Sequence, residues 1–298
     1  MMKLGTMTIM LMDKNKEDRE AYIKSMRRTK KYGFEVMDLC MCPVQRDEVE
    51  LCLDDEWETI AYNIRNESEK LGLPIVQSHL PYPTRRASKD AYGPEAELND
   101  RFRELVRRCI RVSEICGVKW AVAHPVFDSE GLPHGFDDCM KFNHKVYDEF
   151  VELAAKSGVG IAFENMCDNA PGARRFAVTA DELCAFVDSY NAPDQVGVCW
   201  DFGHANRTYP GDQSAALRYL GKRLRATHVD DNVGKDDLHM VPYDGTVKWN
   251  NLMPILAEIG YDGPFIYEIN VRATDPVIRD AKIKYLKAVG DHLISLAK

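Results

Sequence analysis

The sequence predicts a closed (β/α)8 TIM barrel built as one domain over residues 1–298. Three observations predict it. Eight short apolar runs alternate with eight longer amphipathic stretches. Glycine repeatedly stands between an amphipathic stretch and the next apolar run. The length, 298 residues, suits a single α/β barrel.

The apolar runs are Leu4–Leu11, Phe34–Met41, Pro74–His79, Trp120–Val126, Gly160–Met166, Val196–Phe202, Leu224–Val229 and Pro264–Asn270. Each has the length of a buried strand. The clearest helix is Leu98–Cys116, where Phe102, Leu105, Cys109, Val112 and Ile115 recur at three- and four-residue steps with Arg and Glu opposite. Glu17–Tyr32, Glu56–Leu71, Phe142–Ser157, Thr179–Tyr190, Gln213–Leu220, Asn250–Ile259 and Pro276–Leu296 complete the set. Gly33, Gly72, Gly117, Gly158 and Gly260 follow helical stretches, where a left-handed residue ends a helix. Thr179 and Glu182 form a capping box for the helix after the fifth run. Strands joined by helices run parallel, and eight such units close on themselves. A doubly wound open sheet is the alternative. Its dinucleotide-binding form is disfavoured, because no Gly-rich loop follows the first run.

The hydrophobic fraction of 45% is that of a core-forming chain, and the net charge of −8 argues mildly against a broad phosphate-binding surface. The nine cysteines sit mostly in apolar segments and read as small buried hydrophobes. Cys40-x-Cys42 is too tight for a CxxC redox or zinc pair. No run is long and apolar enough to span a membrane and the start lacks a secretory signal, so a cytoplasmic protein is the expectation. The basic run Arg101, Arg103, Arg107, Arg108 and Arg111 is interleaved with Glu97, Glu104 and Glu114, which reads as the solvated face of an outer helix.

Working residues of such barrels stand at the C-terminal ends of strands. There the sequence offers His79, His124, Glu164, Asp201, His204, His228 and Glu268, with Asp237 and His239 in the loop after the seventh run. Taken singly, each is ordinary. Together they are costly to desolvate on apolar strands. One divalent cation held by Glu164, Asp201, His228 and Glu268, from four consecutive strands, is the compensation that fits.

This constellation resembles the xylose-isomerase-like barrel superfamily, which includes sugar epimerases and isomerases, inosose-processing enzymes, hydroxypyruvate isomerases and endonuclease IV. The likeness covers Leu4 to about Leu296. It rests on Ala162-Phe163-Glu164-Asn165, on Asp201-x-x-His204-x-Asn206, on His228, on Glu268, and on Asp237-x-His239 followed by Pro242 and Gly245. It implies an enzyme acting on a sugar, keto-sugar or inositol-type polyol, with Glu164 and Glu268 passing a proton on opposite sides of the substrate through an ene-diolate. The oxygen-rich ligand set places Mn²⁺ first, then Zn²⁺, with Mg²⁺ or Co²⁺ open. His79, His124, His204, Asp237 and His239 would face the substrate. Trp200, Tyr209, Phe127 and Trp120 would supply apolar wall. The loops Pro81–Gly93 and Phe127–Gly135 would act as lids. The ketose epimerases carry an Arg shortly after the strand-seven histidine, whereas here the chain reads Val229-Asp230-Asp231-Asn232-Val233. Asp230, Asn232 or Arg272 would then meet the substrate hydroxyls.

Three rivals stand beside this reading. A dehydratase or lyase would begin with the same proton abstraction. A barrel without activity could bind sugars. The nine residues His79, His124, Glu164, Asp201, His204, His228, Asp237, His239 and Glu268 also offer a ligand for each position of the three-zinc site of endonuclease IV. Against the nuclease stand Val-Asp-Asp-Asn after His228, the loop Pro242-Tyr243-Asp244-Gly245 and the acidic balance. The partner expected is a small polyhydroxylated molecule rather than nucleic acid or a membrane, with homo-oligomerisation open.

Overall fold

The computed structural model describes residues 2–13, 20–42, 51–52, 54–81, 100–126, 135–168, 175–271 and 273–297. Arg272, Phe127 and nearly all of both loops expected to act as lids lie outside the described residues.

The strands are β1 (Lys3–Met7), β2 (Val36–Cys40), β3 (Ile75–His79), β4 (Trp120–Ala123), β5 (Gly160–Glu164), β6 (Val196–Asp201), β7 (Leu224–Val229) and β8 (Pro264–Tyr267). They form one closed parallel barrel in chain order, with β1 paired to both β2 and β8. The closed barrel excludes the doubly wound sheet. Around it run α1 (Thr8–Leu11), α2 (Ala21–Lys31), α3 (Trp57–Leu71), α4 (Asp100–Ile115), α5 (Phe136–Lys156), α6 (Ala180–Ser189), α7 (Phe202–Thr208), α8 (Ser214–Leu220), α9 (Trp249–Glu258) and α10 (Pro276–Leu296).

The local signals act as expected. The five glycines after helices all have positive φ, between 55° and 82°. Thr179 Oγ1 accepts from Glu182 N, capping α6. Most of the strands stop short of the expected runs, two of them for a clear local reason. The first apolar run turns helical at Thr8, whose hydroxyl accepts from Cys40 N while its carbonyl accepts from Ser25 Oγ. The sixth stops at Asp201, whose carboxylate caps α7 by accepting from His204 N at 2.6 Å. In α5 the first turn begins at Phe136 rather than Phe142. It carries Asp137 and Asp138, which suit the positive end of a helix, and its inward Asn143 ties down Val126.

Alternation along the strands builds two cores. Outward side chains such as Trp200, Phe163 and Phe265 pack under the helices. Inward ones form a narrow column of Trp120, Val122, Ala162, Cys199 and Ala226, with Met7, Val36, Cys40 and Ile266 as a second lumen group. Eight of the nine cysteines are buried and all are free, as small apolar residues would be. The arginine run on α4 pairs with Glu58, Glu104, Glu114 and Glu149, which fits an outer helix face. No helix among the described residues is long and apolar enough to cross a membrane.

Candidate metal centre

Strand register assembles the site. Glu164 pairs with Cys199 across β5–β6, and Asp201 pairs with His228 across β6–β7. Glu268 follows β8 directly and donates its N–H to Val229 O. One ligand atom from each of Glu164, Asp201, His228 and Glu268 therefore lies within 4.8 Å of the others. All but Glu268 are almost wholly buried.

These atoms face a common point. His228 Nδ1 lies 2.9 Å from Glu268 Oε2 and 3.1 Å from Glu164 Oε2, without hydrogen-bond geometry to either. Glu164 Oε2, Asp201 Oδ2 and both ring nitrogens of His228 lack a hydrogen-bond partner among the described residues. Such orphans are rare in interiors and need a partner. Asp201 uses Oδ1 on the cap of α7 and keeps Oδ2 for the centre. This donor set of three carboxylates and one imidazole fits a divalent cation.

Two further groups flank the first. His79, His124 and Glu164 form one, with the two Nε2 atoms 3.0 Å apart and Glu164 Oε2 3.5 and 3.0 Å from them. Asp230, Asp237 and His239 form the other, and His204 Nε2 approaches Asp237 at 3.4 Å. The imidazoles are oriented by carbonyls: Nδ1 of His79 donates to Leu80 O, that of His204 to Asn165 O and that of His239 to Glu268 O, each at 2.9 Å. Each of these rings then presents Nε2 inward, the arrangement that fixes metal-binding imidazoles. His239 holds this pose at φ 48°, a left-handed conformation costly for a residue with a Cβ.

Electrostatics agree with a cation-binding bowl. Burial pushes Glu164 up, but His228 and His124 outweigh it and hold it well below the carboxylate range. Glu268 falls to about 2 because His228 and His239 outweigh its burial. Burial pushes Asp201 up to about 7. Burial pulls His228 down, yet Cys199, Glu164 and Glu268 raise it well above the ordinary range. His79, pulled down by burial but raised by Cys42 and Glu164, reaches about 9. The groups around His228 and His79 favour their protonated forms, the sign of a bowl that calls for positive charge.

The bracing residues escaped the sequence reading. Asn165 clamps Asp201, accepting its N–H at 2.7 Å and donating to its carbonyl at 3.0 Å. Asp230 Oδ1 accepts from Gly203 N, and a Cβ on Gly203 would stand 2.2 Å from Asp230 Oδ2, which is why glycine precedes His204. Asp231 pins the long loop carrying Asp237 and His239: it accepts from Asn232 N, Tyr243 N, Val247 N and Trp249 Nε1. Asp38 is buried in the lumen, and neither of its oxygens has a hydrogen-bond partner among the described residues.

Several expected pocket residues lie elsewhere. Trp200 alternates outward between inward Cys199 and Asp201, is fully buried, and donates to Gln213 Oε1. It is core, not pocket wall. Tyr209 holds Ala180 N, and Trp120 sits at the opposite end of the lumen. Asn232 is spent on Gly203 O and Gly234 N rather than on a substrate hydroxyl.

Comparison with known proteins gives the family. A sequence model described as xylose isomerase-like TIM barrel matches residues 26–289. The chain is 30% identical over 210 residues to an uncharacterized protein of Methanocaldococcus jannaschii, spanning 68% of this chain and 70% of that protein. It is 28% identical over 175 residues to a probable endonuclease 4 of Methanoculleus marisnigri, spanning 55% of this chain and 57% of that protein. The crystal structure of a D-tagatose 3-epimerase-like protein shares 23% identity and a TM-score of 0.70, covering 98% of this chain and 100% of that one. With a match along most of its length and the barrel described above, the chain belongs to the xylose isomerase-like TIM barrel family.

Proposed function

We propose that this chain is a divalent-metal-dependent isomerase or epimerase of a sugar, keto-sugar or inositol-type polyol. The observation that carries the reading is the pair Glu164 and Glu268, whose carboxylates approach the same His228 nitrogen beside the unpartnered Asp201 Oδ2. Glu164, Asp201, His228 and Glu268 would hold the cation, Mn²⁺ first by donor chemistry and then Zn²⁺. When bound, it supplies Lewis-acid polarisation of the substrate carbonyl, which acidifies the neighbouring C–H. One glutamate takes that proton and the other returns it, the two carboxylates acting as base and acid from either side of the substrate. Both are held well below the carboxylate range, so both start ionised and either can accept; the one that returns a proton must first take one up from water or from a neighbouring protonated histidine. His79, His124, His204, Asp237 and His239 bind and orient the hydroxyls, and Arg272 is assigned to the same task.

A second reading is favoured by one specific observation. His79, His124 and Glu164 form one group that shares Glu164 with the Asp201, His228 and Glu268 group, while Asp237 and His239 gather with Asp230 and His204 Nε2 approaches Asp237 at 3.4 Å; Nε2 of His79, His204 and His239 is the ring nitrogen left over from the carbonyl bonds. Three cations so placed would suit phosphodiester cleavage of the endonuclease IV kind, and a relative bears that name. Elemental analysis of the purified protein separates the two. About one cation per chain, with deuterium entering ketoses or inososes from heavy water, supports the epimerase or isomerase. Close to three zinc ions per chain, with cleavage of an abasic-site duplex and no exchange, replaces it with the nuclease.

A further inference from the structure

The floor of the barrel, opposite the metal centre, holds a cleft of about 580 Å³. It is lined by Lys3 at the start of β1, Lys119 just before β4, and Lys222 and Arg225 on the approach to and start of β7, with Asp262 as its one carboxylate. Four cations against one acid is a local reversal in a chain of net charge −8. Lys3, Lys119 and Lys222 make no ion pair among the described residues, although surface lysines elsewhere in the chain do.

The cleft is also shaped by sequence. Trp120 lies across Gly160, where a Cβ would stand 2.3 Å from the indole. Arg225 lies across Gly197, where a Cβ would stand 2.3 Å from its Cγ. The two side chains stack with the guanidinium 5.3 Å from the ring centre. Glycines at the starts of β5 and β6 therefore give the arginine a defined seat. Its Nη2 donates to Pro193 O and its Nε is shut away from solvent, while its Nη1 makes no hydrogen bond among the described residues. An oriented guanidinium with Nη1 unused, in a cleft also lined by three lysines without ion pairs among the described residues, matches the charge and acceptor pattern of a phosphate.

We propose that this floor cleft binds a small phosphate-bearing anion, at a site separate from the metal centre. Lys3, Lys119 and Lys222 supply the charge, and Arg225 supplies the directed donor. The site stands whichever reaction the metal centre performs.

The test uses pyridoxal 5′-phosphate as a lysine-directed phosphate probe on the intact metal-loaded protein, with borohydride reduction and peptide mapping. The expected result is labelling of Lys3, Lys119 or Lys222 at least several-fold above other exposed lysines. Inorganic phosphate should suppress it, and sodium chloride of equal ionic strength should not. Adenosine monophosphate protecting at lower concentration than phosphate would assign a nucleotide as the source. Equal protection would assign the bare phosphate group. Labelling spread across lysines according to exposure, or suppressed equally by sodium chloride, overturns the site. Lys222→Met, an exposed change that should leave folding intact, should lower labelling of the remaining two lysines. Unchanged labelling there also counts against it.

Discussion

Asp201 divides its two oxygens: Oδ1 caps α7, and Oδ2, without a partner among the described residues, is the atom proposed to meet the cation. Asp201→Asn keeps a cap but neutralises the ligand, so metal content should fall while the thermal midpoint of the metal-free protein changes little. His228→Ala should likewise lower the metal-to-chain ratio by elemental analysis, and an unchanged ratio would reject the ligand assignment. Glu164→Gln or Glu268→Gln should slow substrate proton exchange roughly 10²- to 10⁴-fold, the usual worth of a positioned base. Asp38 makes a separate prediction. Burial raises its carboxyl from 3.8 to about 6, against the opposing pull of His228 and His79. The folded state thus holds this proton more tightly than the unfolded chain. Stability from this residue is present at low pH and is lost as pH rises from about 4 to about 6, by about 3 kcal/mol. Asp38→Asn should therefore gain on the wild type across that window in denaturant melts of the metal-free protein. A constant difference from pH 4 to 7 would reject the assignment. Strand-end carboxylates were legible in the sequence because a charge closing an apolar run stands out. Asp38 was not, because in the middle of such a run nothing local says whether it faces lumen or helix.

At the scale of elements, caps and glycines carried most of the information. Five glycines marked helix ends, and the Thr179 box marked a start, since both act within a few residues. Asp275 accepts from Val277 N and Ile278 N ahead of Pro276, so Asp275→Ala should cost α10 about 1 kcal/mol, read as a lowered thermal midpoint. Gly203→Ala should cost more, about 1–3 kcal/mol, because the new methyl group must displace Asp230. It should also disturb the neighbouring His204. The outward turn of Trp200 was within reach of strand parity, since Cys199 and Asp201 face inward. The braces were not: Asn165 meets Asp201 across two strands, and Asp231 gathers donors up to 18 residues away. Such contacts exist only once the fold does.

For the whole molecule, the proposed metal centre makes cation and proton competitors for the same bowl. Its surroundings raise the His228 imidazole well above its ordinary range, so a cation bound there is expected to displace a proton. Apparent metal affinity should rise with pH, about tenfold per unit for each proton displaced, as measured by competition with a chelator between pH 6 and 8. A flat profile would show that the histidine charge is not what the cation replaces. Closure of the barrel was legible from eight alternating units and the nine candidate ligands from the family resemblance, whereas the place of Asp230 beside Asp237 and His239 became visible only when the strand ends were brought together. Closure also bears on synthesis. The last sheet contact joins Lys3–Thr6 to Pro264–Tyr267, and Glu268 comes directly after it. A chain emerging N-terminus first carries two open sheet edges until that strand arrives, which is the interval in which edge pairing between molecules is a hazard. Glu268 follows that strand, so a nascent chain gains the last of the four proposed ligands only as it loses its exposed edges.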